Sequence, residues 1–328
     1  MDVMYLGEPT SDYVESALNT VLDIHLRVTI RNDRINVKEP EGDILLFLTG
    51  RDEIERSVVE IGERMGALPA STQKLNALPL YAGLPTSEQM AVFQPSRDDE
   101  RKVVIATNVA EASVTIDGIV YVIDCGFVKV PPLLTSLMKM RAFNPKTGIE
   151  SLLVAPTSQA SALQRTGRAG RTKPGKCYRL YTKAAYDSLS PTSVPEIQRA
   201  DFAPIVLALK SLGIDNVLRF EYLSPPPAES MVRALEVLYS LQALDEYGRL
   251  ATPLGQRMAE IPLAPSMAKI LLDSQRWGCT EEVLTIAAMC SVQGIWVQAE
   301  GEKRMESERR KFTVEEGDHL TLLNGTLV

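Results

Sequence analysis

Six short apolar runs punctuate the first 182 residues: ILLFL (44–48), LPLYA (78–82), KVVIAT (102–107), GIVYVID (118–124), SLLVA (151–155) and KCYRLYT (176–182). Most are apolar at consecutive rather than alternate positions. Side chains along a strand point to opposite faces in turn, so an uninterrupted run must bury both faces. Stretches with helical patterning separate the runs, at Arg51–Arg64, Ser87–Phe93 and Ser158–Ala169. Buried strands alternating with helices predict an α/β fold, a parallel sheet with helices on both faces. Thr86 followed by Gln89 gives the second of these helices the spacing of a capping box.

From Val194 the texture changes to helices and little else. MVRALEVLYSLQAL (231–244) places apolar residues at 231, 235, 238 and 241, one stripe of a helix. DEYGRLAT (245–252) predicts a turn into a short strand, and Leu254–Glu260 a second helix, so this part suggests a winged helix. Residues 263–298 predict further apolar helices, and EGEKRMESERRK (300–311) a solvated helix or linker. The closing GDHLTLLNGTLV offers no recognisable terminal element.

The chain is acidic, with a formal net charge of −7, yet its positive charge is concentrated in one place. Between Cys125 and Lys183, eleven Lys and Arg meet a single acid, Glu150; this stretch is therefore +10 and the remainder −17. Such a distribution predicts a phosphate-binding face on an otherwise repelling body. Four cysteines without a CxxC pair and only two histidines leave no zinc site and fit a reducing interior. The acids Asp2, Glu8, Asp12 and Glu15 argue against a secretory signal. No apolar run reaches the roughly 18 residues needed to span a bilayer.

Ligands of a parallel α/β sheet bind at the carboxyl ends of its strands, and three polar loops are expected there. In LTGRDE (48–53), Thr49 and Gly50 open a helix whose N–H groups suit a phosphate, although helix capping by Thr49 explains them as well. In TNVAEASVTID (107–117), Thr107 and Asn108 suit a sugar-phosphate backbone. Thr115 and Asp117 lie two apart in that loop, so an extended segment points both toward ribose hydroxyls. The third loop is QRTGRAGR (164–171). If the helix from Ser158 continues to Arg171, then Gln164, Arg168 and Arg171 share one stripe at spacings of four and three. Gly167 and Gly170 flank that stripe and admit a bulky anion. Paired guanidiniums repel unless they face a multivalent anion such as a triphosphate. Gln164 is then placed to orient water or bond the terminal phosphate.

These segments carry a resemblance. QRTGRAGR resembles motif VI of the superfamily 2 helicases, TNVAEASVTIDGIVYVID motif V of the DEAH-box RNA helicases, and GDILLFLTGRDEIE their motif IV. The likeness runs on through RKVVIATN, GKCYRLYT, SPPPAESMVRALEVLYSLQALD and GDHLTLLN, and is nearest to the spliceosome-associated branch. It implies a second RecA-like lobe over residues 1–182, a winged helix over 183–260 and a truncated helical ratchet domain over 261–328. It also implies that Arg168 and Arg171 are arginine fingers and that Gln164 contacts the terminal phosphate. By the same resemblance Gly167 lies at the nucleotide, Thr115 and Asp117 on the ribose, and Phe93 of AVFQP on the base. Gly50, Arg51, Thr107 and Asn108 are implied to grip RNA, and residues 141–154 to form a β-hairpin at the RNA exit. The implied cofactor is ATP with Mg²⁺. The implied partners are RNA, spliceosomal ribonucleoprotein and a G-patch activator protein in the nucleus, with no membrane.

Two departures qualify these expectations. The chain holds neither a GxxxxGK[ST] loop nor a DEAH tetrad. The resemblance puts both in a first lobe ahead of Met1, so this chain alone is expected to hydrolyse no ATP. VPPLLTSLM (130–138) reads as an insertion at the base of the hairpin, a poor strand that loosens it. The alternative function is a catalytically inactive RNA-binding or scaffold fragment, although paired fingers would be of no use to a scaffold. DNA unwinding is a third, less favoured reading.

Overall fold

A computed structural model describes residues 1–29, 41–69, 72–97, 99–112, 114–130, 153–170, 173–198, 200–292 and 310–326. The chain divides into two units, Met1–Val194 and Pro195–Val328. The first unit is built on a six-stranded parallel sheet of β1 (Asp2–Leu6), β2 (Asp43–Phe47), β3 (Lys74–Leu80), β4 (Glu100–Ala106), β5 (Ile119–Asp124) and β8 (Lys176–Thr182). Their spatial order is β1-β8-β5-β2-β4-β3. Between the strands run α1 (Tyr13–Thr29), α2 (Arg51–Gly66), α3 (Thr86–Ala91), α4 (Val109–Ala112) and α5 (Gln159–Thr166), and α6 (Lys183–Ser188) follows β8. The α/β class and its parallel sheet stand as the sequence predicts.

Consecutive burial has the expected cause. Ile44, Leu46 and Leu48 enter a core closed by Ala17, Leu18 and Val21 of α1 and by Ile54 and Ile61 of α2. Leu45 and Phe47 point the other way, into a core with Val104, Val122, Ala110 of α4 and Ala169. β3 contains Pro79 and lies at the sheet edge, where a missing N–H is tolerated.

Three local expectations are corrected. SLLVA does not join the main sheet: β7 (Leu153–Pro156) pairs antiparallel with β6 (Phe127–Val130) in a separate ladder from Phe127↔Pro156 to Val130↔Leu153. All but the first residue of the insertion at 130–138 and most of the hairpin at 141–154 lie outside the described residues. The capping box at Thr86 does not form, because Thr86 is already helical and Gln89 Nε2 donates to Leu84 O at 2.6 Å. The helix predicted over Ser158–Ala169 ends at Thr166. There the bonding tightens from Gly167 N to Leu163 O (2.9 Å) to the three-residue turns Arg168 N to Arg165 O (3.0 Å) and Ala169 N to Thr166 O (3.2 Å). β1, on the far edge against β8, has no counterpart among the predicted strands.

The second unit holds α7 (Ala203–Ser211), α8 (Ala228–Ser240), α9 (Leu254–Glu260), α10 (Pro265–Trp277), α11 (Thr280–Ser291) and α12 (Asp318–Asn324). The predicted stripe is inward: Met231 and Leu238 are buried, with Leu235 and Leu241 packed beside them. The predicted wing strand reduces to one antiparallel bridge, Leu244↔Leu250, around a turn at Gly248 with φ 72. Helix α12 occupies the terminal stretch in which no element was recognisable. Residues 293–309 lie outside the described residues. Among the described residues no helix is long and apolar enough to cross a membrane.

Candidate nucleotide and nucleic-acid sites

At the carboxyl edge of the sheet the ends of three strands stay in register. Leu48 N donates to Ala106 O at 2.9 Å, and Thr107 N to Leu80 O at 3.1 Å. This brings Gly50 and Arg51, at the head of α2, to the same edge as Thr107 and Asn108, at the head of α4. Thr49 is held in place by α2 itself, its hydroxyl and its amide donating to Glu53 Oε2 at 2.8 and 3.1 Å. Tyr13 donates to the other carboxylate oxygen at 2.6 Å. Thr49 therefore does not cap α2 through its side chain, and the acids Asp52 and Glu53 already oppose the helix dipole. The Arg51 guanidinium lies 5.7 Å from the Tyr81 ring centroid. Lys129 adds a cation that the motif spacing did not single out, its Nζ standing where a Cβ on Gly50 would be. Asn108 is exposed and Thr107 half-buried.

The other predicted positions gather at the opposite edge, which corrects the expectation that all three loops lie at carboxyl ends. Crossovers in a parallel sheet return the chain to the amino edge before each new strand. Thr115 and Asp117 immediately precede β5, Phe93 precedes β4, and Gly167 and Arg168 lie in the turn before β8. Thr115 and Asp117 are exposed on either side of buried Ile116, the alternation that aims both outward. Arg168 Nη1 donates to Val114 O at 2.9 Å, so this guanidinium is docked beside Thr115. Gln164 is exposed on the last turn of α5, Gly167 is exposed at its end, and Phe93 is 36% exposed. Asp117 lines a cavity of about 470 Å³ with Asp43, Ser96, Arg101, Gly118 and Lys173. Arg171 lies outside the described residues, as does any test of the shared stripe that includes it. The donors are those a phosphate requires, and outward hydroxyl and carboxylate groups suit a sugar.

Comparison with known proteins converges on one family. The helicase conserved C-terminal domain matches residues 25–173, the winged-helix helicase-associated domain residues 234–263, and its ratchet-like counterpart residues 264–322. Over 327 residues the chain is 53% identical to the probable ATP-dependent RNA helicase DHX35 of Pongo abelii, covering 99% of this chain and 42% of that protein. It is 47% identical over 327 residues to the pre-mRNA-splicing factor ATP-dependent RNA helicase prp22 of Schizosaccharomyces pombe, covering 99% of this chain and 26% of that protein. The chain belongs to the DEAH-box RNA helicases. It spans less than half the length of these DEAH-box relatives. Its fold is similar to that of the E. coli DExH-box NTPase HrpB, with a TM-score of 0.71 at 27% identity, over 99% of this chain and 36% of that one.

In this DEAH-box chain not every cation of the basic stretch faces outward. Arg165 and Arg179 are 1% and 2% exposed, so part of the local charge excess belongs to the core. Arg165 Nη1 donates to Asp124 Oδ1 at 2.7 Å and its Nε to Glu111 Oε2 at 3.1 Å. Phe127 O accepts from both terminal nitrogens at 3.3 Å, and the guanidinium lies 5.0 Å from the Phe47 ring centroid. Burial works against this charge, but Asp124 and Glu111 outweigh it and hold the Arg165 pKa above the usual arginine value. Tyr181 closes the network on Asp124 Oδ2 at 2.8 Å. One signal could have revealed it: Asp124 ends an otherwise apolar buried run, and a carboxylate there requires a partner.

Proposed function

We propose that this chain is the arginine-supplying, RNA-gripping part of an ATP-dependent RNA helicase, with the domains divided near residues 182 and 260. One observation carries the reading: a single sheet has one polar set at its amino edge and another at its carboxyl edge. Arg168 and Arg171 would bring positive charge to the phosphates as it develops in the transition state, and Gln164 would orient the attacking water. Thr115 and Asp117 would hold the ribose and Phe93 the base. Gly50, Arg51, Thr107 and Asn108, with Lys129, would hold the RNA backbone, which makes recognition tolerant of sequence. Bound ATP with its magnesium ion supplies the phosphoryl group and the counter-charge. Among the described residues no three His, Cys, Asp or Glu converge as metal ligands. The metal would be held by a phosphate-binding lobe, without which the chain is expected to hydrolyse no ATP.

The name of the fission-yeast relative supports a role in pre-mRNA splicing, and with it a nuclear, spliceosomal setting; a G-patch activator is the partner that the resemblance of the sequence implies. The test supplies a phosphate-binding lobe and measures RNA-stimulated ATP turnover. Arg168→Ala combined with Arg171→Ala is expected to lower turnover about 10³-fold, the scale of an arginine finger. Unchanged turnover would instead favour an RNA-binding scaffold.

A further inference from the structure

Lys102 is an unusual occupant for the third position of β4, because it is only 3% exposed and is followed directly by the buried apolar run Val103–Ala106. Its Nζ donates to Val92 O at 3.0 Å and to Gln94 O at 2.8 Å, the carbonyls on either side of Phe93. The third direction of the ammonium faces Asp43 Oδ2 at 3.8 Å. Asp43, the first residue of β2, accepts from the Lys102 amide at 3.0 Å and from the Ser96 hydroxyl at 2.7 Å. Two charged groups anchored on adjacent strands thus tie down both ends of the turn from Val92 to Ser96. Gly118 belongs to the same arrangement, since a Cβ there would meet Asp43 Oδ2 at 2.9 Å. The clasp grips the backbone on either side of Phe93, a residue that is 36% exposed. Asp43 and Ser96 also line the cavity that Asp117 lines.

We propose that Lys102, assisted by Asp43 and Ser96, is a positioning residue that presets the Phe93 ring for stacking on the base of the nucleotide. The proposal rests on the nucleotide reading of Phe93 given above. A ring fixed before binding loses less freedom on binding, so the clasp acts on ground-state affinity rather than on the chemical step.

The test pairs Lys102→Met with Phe93→Ala, singly and together. Amide hydrogen exchange is followed on the chain itself, and ATP turnover with a phosphate-binding lobe supplied. Lys102→Met is expected to speed exchange at Phe93 and Gln94. It is expected to raise the KM for ATP about tenfold with kcat within about twofold, and to add little once Phe93 is alanine. An unchanged KM, or an equal effect with and without the ring, overturns the proposal. If Phe93→Ala itself leaves KM unchanged, the nucleotide reading of Phe93 falls and takes the proposal with it. A KM raised by Phe93→Ala but not by Lys102→Met removes the proposal alone. Should Lys102→Met lose its cooperative thermal transition, Ser96→Ala replaces it, with an expected rise of about threefold and the same dependence on the ring.

Discussion

Arg165 shows how differently neighbouring arginines can be used. Its guanidinium neutralises two carboxylates in the core, whereas Arg168, three positions on, is docked at the surface beside Thr115. Replacing Arg165 with Met would leave Asp124 and Glu111 buried without their counter-charge. We expect a loss of about 3–5 kcal/mol in urea unfolding. Glu111→Gln is expected to cost less in the same measurement, since Asp124 and Phe127 O still engage the guanidinium. The exposure of Gln164 and Gly167 was legible because polar residues and glycines mark a solvent face, whereas a helical stripe shared with Arg168 was misread, since the helix ends at Thr166. Arg165 was not legible there, since spacing separates the faces of a helix without saying which one meets a core. That information lay far along the chain, in Glu111 and Asp124.

Strands and helices were legible wherever local pattern and burial agree, as for β8, which occupies the predicted residues 176–182. Their ends were less so. Beyond the end of α5, Gly175 packs tightly against backbone: a Cβ there would meet Ala169 O, and Val120 O at 2.7 Å. Gly175→Ala is therefore expected to cost about 2–4 kcal/mol and to lower the melting temperature, because the obstructing atoms are backbone. Where α1 meets the start of β3, His25 is buried with Nε2 on Gln73 O at 2.8 Å. Burial pushes its pKa below the usual histidine value, with Arg101 acting the same way and the Gln73 bond opposing them. The unfolded chain then takes up the proton first. The stability contribution is complete above the ordinary value of about 6.5 and falls as pH drops toward the folded value. Melting temperature should decline between pH 7.5 and 5.5, on a scale of about one pH unit either side of that value, and His25→Gln should flatten the slope.

Each of the two units carries its own apolar cluster, and both cores that sandwich the sheet lie wholly before Pro195. Residues 1–194 alone are expected to unfold in one cooperative transition by circular dichroism. The charge asymmetry was legible in the sequence, but its meaning was only half so, because Arg165 and Arg179 spend their charge inside the fold. Opposite placement of the polar sets was not legible, since sequence order shows neither edge of a sheet. Strand β4 bears Lys102 near its start and leads into Thr107 at its finish, roughly 17 Å away at the rise of an extended chain. Under the proposed function this strand is a stiff rod between fuel and track. Softening its middle, as Val104→Gly would, should spare both affinities and instead produce slippage, more ATP consumed for each base pair opened.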